Sequence, residues 1–149
     1  MYIAQMADLP NCDKRRLSNL QDFFWKDGEL CFERFKHGEV KLETVYSINS
    51  RIFCRESQIS QVLLNLLNNA FDAVSELSTP EKWVKVLVSE NVPYGDKLII
   101  RIVDCGAGIP DEVAKKMLEP FFTTKETGRG TGLGLSISVG IIEDHSGKL

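Results

Sequence analysis

Hydrophobic residues recur with a helical spacing over residues 56–77, the longest periodic stretch of the chain. Neither glycine nor proline interrupts this stretch, so the pattern predicts one helix of about 33 Å. A solvated helix face usually carries lysine, glutamate and arginine, whereas asparagine and aspartate are poor helix formers. The narrow polar strip of this helix is therefore expected to face a ligand or a partner; it carries Gln61, Asn65, Asn68, Asn69, Asp72 and Glu76.

The short oxygen-bearing side chains of this strip suit a hard cation. Asn65 and Asn69 are four residues apart and project side by side, and Asp72 follows one turn later. Mg²⁺ takes oxygen ligands and keeps several waters while it bridges to phosphates. A magnesium–phosphate site and a solvated helix face both remain open interpretations of the strip alone.

Strand patterns lie on both sides of the predicted helix. Alternating valines predict a strand over residues 83–89, and a turn then leads to a second strand over residues 97–103, so the pair predicts a hairpin. Shorter strands are predicted over residues 40–46 and 51–54. We expect one sheet to contain the 51–54 strand together with the hairpin.

Three further segments have weaker signals. Residues 1–16 are polar and predict an irregular lead-in, and residues 17–36 favour a helix. Late helices are predicted over residues 110–118 and 133–144. Because strands and helices mix without strict alternation, the predicted fold class is α+β, a two-layer α/β sandwich whose mixed sheet is covered on one face by helices.

Composition narrows the function classes. The chain has 149 residues, 43% of them hydrophobic and 26% charged, which is typical of one soluble globular domain. The net charge of −3 gives no support to nucleic-acid binding, and no apolar run is long enough to span a membrane. Four cysteines without a C-x-x-C pair favour reduced thiols in a cytoplasmic protein over structural zinc.

Two glycine-rich segments suggest binding sites. The first runs from Asp104 through Gly106 and Gly108 to Ile109, directly after a predicted strand. A carboxylate there could accept a hydrogen bond from an exocyclic amine such as adenine N6, and the glycines would let the backbone approach a flat base. A plain strand-to-helix turn is the alternative.

The second segment spans residues 128–134 and precedes the last predicted helix. Glycine-rich backbone at a helix N-terminus can bind an anion. Its spacing fits neither a dinucleotide fingerprint nor a P-loop. The segment is therefore a phosphate loop of another kind, a flexible lid or a disordered linker.

Four segments in order resemble the N, G1, F and G2 boxes of the catalytic, ATP-binding domain of sensor histidine kinases. They are Asn65-Leu-Leu-Asn-Asn69-Ala-Phe-Asp72, Asp104-Cys-Gly106-Ala-Gly108-Ile, Phe121-Phe122-Thr-Thr-Lys125 and Gly130-Thr-Gly132-Leu-Gly134-Leu. That domain belongs to the superfamily shared with gyrase, a heat-shock chaperone and mismatch-repair ATPases. The resemblance covers roughly residues 30–149 and implies a Bergerat-type sandwich that binds ATP between its helices.

The resemblance also implies roles for the matching residues. Asn69 would coordinate Mg²⁺, Asn65 would help line the phosphate side, and Asp104 would bind adenine N6. Phe121 and Phe122 would anchor a lid running to about Thr131, from which Lys125 would reach the phosphates. The expected catalytic residues are Asn65, Asn69 and Lys125, with Asn69 as the metal ligand; the expected nucleotide-binding residues are Asn69, Asp72, Asp104, Gly106, Gly108, Ile109, Phe121, Phe122, Thr123, Thr124, Lys125, Gly130, Thr131, Gly132, Leu133 and Gly134.

Some features of the family pattern are missing. Neither His37 nor His145 has the sequence context of the family's phosphoacceptor histidine, and both are expected at the surface. Residues 1–29 are expected to be a lead-in or linker from an absent dimerisation domain, and residues 30–149 to be an ATP-binding domain that lacks the family's two final strands. An open sheet edge would favour self-association or a lower melting temperature.

The resulting hypothesis is a cytoplasmic catalytic domain whose parent protein may be anchored in a membrane. It would present Mg-ATP to a histidine on the dimerisation domain of the same parent, which would pass the phosphate to a response regulator receiver domain. No contact with nucleic acid or membrane is expected of this chain. A superfamily ATPase, a serine kinase acting on an anti-sigma-factor partner and a non-catalytic nucleotide-sensing module are the alternatives.

Overall fold

The computed structural model describes residues 2–7, 16–19, 29–46, 51–90, 97–126 and 130–149. Within these residues the backbone forms six strands and four helices. The strands are β1 (Tyr2–Ala7), β2 (Arg16–Asn19), β3 (Val40–Tyr46), β4 (Arg51–Cys54), β5 (Lys82–Glu90) and β6 (Lys97–Asp104). The helices are α1 (Glu29–His37), α2 (Glu56–Ser75), α3 (Asp111–Ala114) and α4 (Gly134–Asp144).

The main sheet contains four strands in the order β1-β6-β5-β3. β6 pairs antiparallel with β1 and with β5, whereas β3 pairs parallel with β5, so the sheet is mixed. Parallel neighbours need a crossover connection, and here α2 lies in the chain between β3 and β5. The predicted α+β class with a mixed sheet is confirmed.

The core lies between α2 and one face of the sheet. Successive side chains of a strand point to opposite faces, and the inward positions of β5 and β6 are apolar: Val86 pairs with Ile102, and both side chains are fully buried. α2 covers them with its apolar face, in which Leu66 and Val74 are almost inaccessible to water. α1 and α4 pack against α2, and together these helices form the second layer.

Four local predictions differ from the structure. Residues 2–7 were expected to be irregular but form β1, which pairs with β6 from Tyr2 to Ala7. β4 was expected in the main sheet but pairs antiparallel with β2, in the segment predicted to be helical. The helix predicted over residues 110–118 ends at Ala114. The hydrophobic pattern of a segment indicates that it forms a strand, but the strand with which it pairs depends on contacts with distant parts of the chain.

The edges of the main sheet also follow from this order. β6 is paired on both sides, so the outer strands among the described residues are β1 and β3. Self-association through a sheet edge would therefore use one of these two strands, and it stays a prediction. The division at residue 29 into a linker and a catalytic domain likewise stays a prediction.

Candidate nucleotide-binding site

The polar strip of α2 contacts two other parts of the molecule. α2 is long and has a wide apolar face because leucine, valine and alanine recur at its buried positions. The strip residues Asn65, Asn69 and Asp72 are half-buried. Asn65 lies next to α4, whereas Asn69 and Asp72 lie next to Lys125, so the strip is not simply a solvated face.

Asn65 links α2 to the first turn of α4. Its Nδ2 donates hydrogen bonds to the carbonyl oxygen of Gly134 at 3.1 Å and to Oγ of Ser138 at 3.2 Å. Ser138 is fully buried, and its hydroxyl donates to the same Gly134 oxygen at 2.8 Å. A Cβ at residue 134 would lie 3.5 Å from Cγ of Asn65, so the backbone of Gly134 lies directly against the amide. The phosphate-side role expected for Asn65 stays a prediction.

Lys125 lies on the two strip residues that were expected to meet metal and nucleotide. Its Nζ donates to Oδ1 of Asn69 at 3.2 Å and forms an ion pair with Oδ2 of Asp72 at 2.5 Å. These contacts join residues 53 and 56 positions apart in sequence. The Lys125 ammonium therefore contacts the amide oxygen that the family resemblance implies for Mg²⁺.

The turn after β6 brings Asp104 close to the last part of α2. Oδ1 of Asp104 accepts a hydrogen bond from the backbone N–H of Gly106 at 2.9 Å. A Cβ on Gly106 would lie 2.8 Å from that oxygen and 3.4 Å from the carbonyl oxygen of Ala73, so only glycine fits without a shift. Gly108 has φ of +85° in open space, and Ile109 is half-buried. The first glycine segment is thus a tight turn held by its own carboxylate.

Phe121 and Gly132 join the two ends of the predicted lid. The N–H of Phe121 donates to the carbonyl oxygen of Gly132 at 2.9 Å. Both residues have positive φ, 66° and 67° respectively. The Phe121 ring is 74% exposed, whereas Phe122 is half-buried.

Short-range hydrogen bonds hold the described parts of the segment between these two residues. The N–H of Lys125 donates to Oγ1 of Thr123 at 3.1 Å, and Gly130 lies so close to Thr123 that a Cβ would be 2.8 Å from the same hydroxyl. The N–H of Leu133 donates to Oγ1 of Thr131 at 3.4 Å, and Thr124 is exposed. Residues 127–129 lie outside the described residues.

The first of the four segments lies on α2, and the other three converge on it. Lys125 connects the third segment to Asn69, Gly134 connects the fourth to Asn65, and Gly106 lies against Ala73. Asp104 joins this arrangement through its hydrogen bond with the Gly106 N–H. Arg34 of α1 also reaches this strip, and sequence reasoning missed it because no local pattern relates α1 to α2.

The expectation that His145 is a surface residue is wrong. Its side chain is 2% exposed, and its Nδ1 lies 2.7 Å from the carbonyl oxygen of Ile141 while its Nε2 lies 3.1 Å from the backbone N–H of Arg55. A carbonyl needs a donor and an N–H needs an acceptor, so the ring is neutral with its proton on Nδ1. His145 therefore joins the end of α4 to Arg55, the residue that precedes α2. His37 is exposed, as expected.

The family of the chain follows from comparison with known proteins. Residues 54–149 match the model of the family described as "Histidine kinase-, DNA gyrase B-, and HSP90-like ATPase". The matched range contains all four segments described above. The chain belongs to this family.

Relatives within the family are sensor kinases. The chain is 42% identical over 98 residues to the sensor kinase CckA of Brucella abortus, an alignment that covers 60% of the chain and 10% of CckA. Among solved structures, the catalytic domain of histidine kinase ThkA matches with a TM-score of 0.72 at 28% identity, over 87% of the chain and 80% of ThkA. The structure of ThkA in complex with the response regulator protein TrrA matches with a TM-score of 0.70 at 27% identity. This match covers 88% of the present chain and 35% of the ThkA chain.

These matches confirm the resemblance to the catalytic domain of histidine kinases. The chain spans between 10% and 27% of the length of the sensor kinases it matches. No helix in the described part of the chain is long and apolar enough to cross a membrane.

Proposed function

We propose that this chain binds Mg-ATP and donates the γ-phosphate to a histidine on a separate dimerisation domain. The observation that carries the proposal is the convergence of a lysine, two oxygen-bearing side chains and a glycine-rich segment on one strip of α2. Lys125 directly contacts both Asn69 and Asp72. The family match supports nucleotide binding at this strip.

The donor set fits a magnesium ion. Oδ1 of Asn69 accepts a hydrogen bond from the Lys125 ammonium at 3.2 Å, and this contact with one cation supports a metal site at the same oxygen. Mg²⁺ is bound by few protein oxygens and completes its shell with water and phosphate. Asn69 is the proposed protein ligand, and the ion would neutralise charge on the phosphates.

The protein's own groups would supply positioning and charge. Lys125 carries a compact positive charge that can turn from Asp72 toward phosphate oxygens, as lysines do in other phosphate sites. The backbone between Gly130 and Gly134 approaches α2 closely and provides N–H groups near the start of α4. Asp104 would bind the exocyclic amine of adenine. Phosphoryl transfer depends mainly on such positioning and electrostatic stabilisation.

Asn65 favours transfer to a protein over hydrolysis. Superfamily ATPases carry a glutamate at this place, four residues before the metal-binding asparagine, where it activates water. An amide cannot accept a proton from water, and the Asn65 amide donates to Gly134 and Ser138. We therefore assign the chain to the kinase branch, with negligible hydrolysis of ATP by the chain alone.

The partners follow from the reaction. The acceptor would be a histidine of the dimerisation domain of the same parent protein, and a response regulator receiver domain would take the phosphate from it in the cytoplasm. ThkA has been solved with a response regulator, which supports this pairing for the present chain. Transfer to a histidine-containing domain would produce acid-labile phosphohistidine.

Substitution of Asp104 tests the nucleotide site. Oδ1 accepts the Gly106 N–H; if an Asp104→Asn amide keeps its oxygen there, its NH₂ group replaces the second oxygen and cannot accept a hydrogen bond from adenine. We expect ADP and ATP affinity to fall by about 1–3 kcal/mol. Titration calorimetry measures this directly. Asp111→Asn makes the same charge change at an exposed site of α3 and should leave affinity unchanged.

Unchanged ADP affinity of Asp104→Asn, with an intact fold, would contradict the adenine role. The phosphotransfer half of the proposal is tested separately, by adding a histidine-containing dimerisation domain and radiolabelled ATP. Phosphate found on serine instead of histidine would assign the chain to another branch of the family.

A further inference from the structure

Arg34 of α1 contacts three residues of α2, two of which belong to its polar strip. Its Nη2 forms an ion pair with Oδ1 of Asp72 at 2.6 Å, and its Nη1 donates a short hydrogen bond to Oδ1 of Asn68. The guanidinium carbon lies 4.4 Å from the centre of the Phe71 ring, a cation–π distance. These contacts span 34 and 38 positions of sequence and hold the planar guanidinium in one orientation.

Asp72 lies between two cations. Arg34 binds Oδ1 of its carboxylate and Lys125 binds Oδ2, at 2.6 Å and 2.5 Å. The Arg34 and Lys125 side chains are 43% and 35% exposed, so the three groups form a partly solvated network. The position of the Lys125 ammonium therefore depends on the direction in which Asp72 points, and that direction depends on Arg34.

The negative charge of Asp72 would oppose phosphate binding unless it is neutralised. Phosphates bound near Asn69 would lie beside this carboxylate, and two neighbouring negative charges repel each other. Arg34 offsets the charge from the side of the carboxylate opposite Lys125. Without Arg34, both oxygens of Asp72 could compete for the ammonium, and Lys125 would be less available to a phosphate.

We propose that Arg34 is a positioning residue of the nucleotide site, which acts through Asp72 to set where the Lys125 ammonium lies and how strongly phosphates bind. The inference rests on the proposed function, because it assumes that phosphates bind beside Asn69. It adds a residue of α1, outside the four segments, to the determinants of phosphate affinity. Arg34 itself needs no contact with the nucleotide.

The test compares ATP and adenosine binding by calorimetry in the presence of Mg²⁺. Arg34→Gln keeps a stem over Phe71 and one amide donor but removes the charge. We expect ATP to bind about three- to fivefold more weakly, the range for loss of a partly exposed ion pair, and adenosine to bind as before. Arg34→Lys keeps the positive charge but loses the planar fork and its stacking on Phe71, so ATP affinity should fall less than in Arg34→Gln. Lys36→Ala, which removes a positive charge from an exposed position of the same helix, is the matched control.

A double variant separates action through Asp72 from direct contact. In an Asp72→Asn background no carboxylate remains to be neutralised, so adding Arg34→Gln should change ATP affinity by less than about 1.5-fold. An undiminished loss in that background would mean that Arg34 meets the phosphates directly, and would overturn the proposal.

Two further outcomes would also overturn it. Equal weakening of ATP and adenosine by Arg34→Gln would indicate a general structural role, and an effect of Lys36→Ala as large as that of Arg34→Gln would indicate an unspecific charge effect. If the parent protein binds ATP but Arg34→Gln binds it equally well, the inference alone fails. If the parent protein binds neither ATP nor ADP, the proposed function itself fails.

Discussion

Replacing Gly132 by alanine should be the most damaging of three matched glycine substitutions. Gly132 has φ of +67°, and a Cβ there would lie 2.4, 2.6 and 2.7 Å from three backbone atoms of Phe121. Backbone atoms cannot rotate away as the end of a side chain can. The two segments must therefore separate, which breaks the hydrogen bond from the Phe121 N–H to the Gly132 carbonyl oxygen at 2.9 Å.

The expected loss follows from these two effects. The left-handed conformation costs an L-residue about 1–2 kcal/mol, and an intramolecular hydrogen bond contributes about 0.5–1.5 kcal/mol. We expect Gly132→Ala to lower the free energy of unfolding by roughly 2–3 kcal/mol. If only the Phe121–Gly132 contact opens, the loss appears instead as faster hydrogen exchange of the Phe121 amide.

Two other glycines provide controls for the two effects. Gly108 has φ of +85° with nothing within 4 Å, so Gly108→Ala tests the conformational cost alone, about 1–2 kcal/mol. Gly140 lies inside α4 in open space, and Gly140→Ala should stabilise the helix by about 0.5–1 kcal/mol. Urea unfolding of the three variants measures the change in the free energy of unfolding for each and so ranks them. If Gly132→Ala matches Gly108→Ala both in unfolding and in exchange at Phe121, the argument from close backbone contact is refuted.

Three further predictions concern other contacts. His145→Phe keeps a buried ring but leaves the Arg55 N–H without its acceptor, so urea unfolding should show a loss of about 1–3 kcal/mol; no loss would remove His145 from the anchoring of α2. Asn65→Ala removes two hydrogen bonds and should cost about 1–3 kcal/mol, checked by the same method. The Lys41 ammonium beside Glu43 lowers the pKa of that carboxyl below 4.5, so its stabilising contribution is present above pH 4.5 and is lost as the pH falls through the lowered pKa. Thermal melts should therefore show that Glu43→Gln differs from the parent at neutral pH and converges with it in acid.

The sequence predicted α2 and its polar strip because a helix buried on one face has hydrophobic residues every three or four positions, and this spacing is visible in the local sequence. It also predicted β5 and β6, where alternating valines and isoleucines face the core. It did not predict the partner of β4, because pairing with β2 depends on contacts between segments far apart in the chain. The short pattern of residues 2–7 likewise carries no information about β6, its partner.

The sequence predicted which residues belong to the candidate site better than it predicted the contacts between them. The resemblance identified Asn69, Asp104 and Lys125, and each has a defined place in the structure. The ion pair between Asp72 and Lys125 required the third segment to fold back onto α2, which spacing alone does not reveal. Arg34 and His145 were missed for the same reason: each contacts α2, or the residue just before it, from a distant position in sequence.

The pairing of β1 with β6 has a consequence for the time course of synthesis. Tyr2 pairs with Ile102 and Ala7 with Lys97, so β1 leaves the ribosome well before its partner strand β6 has been made. At about 5–20 residues per second, β1 waits roughly 5–20 seconds for β6. Contacts of such long sequence separation also form slowly, since the intervening loop must close first. Codons that slow translation between the two strands would therefore lengthen the period in which β1 lacks its native partner.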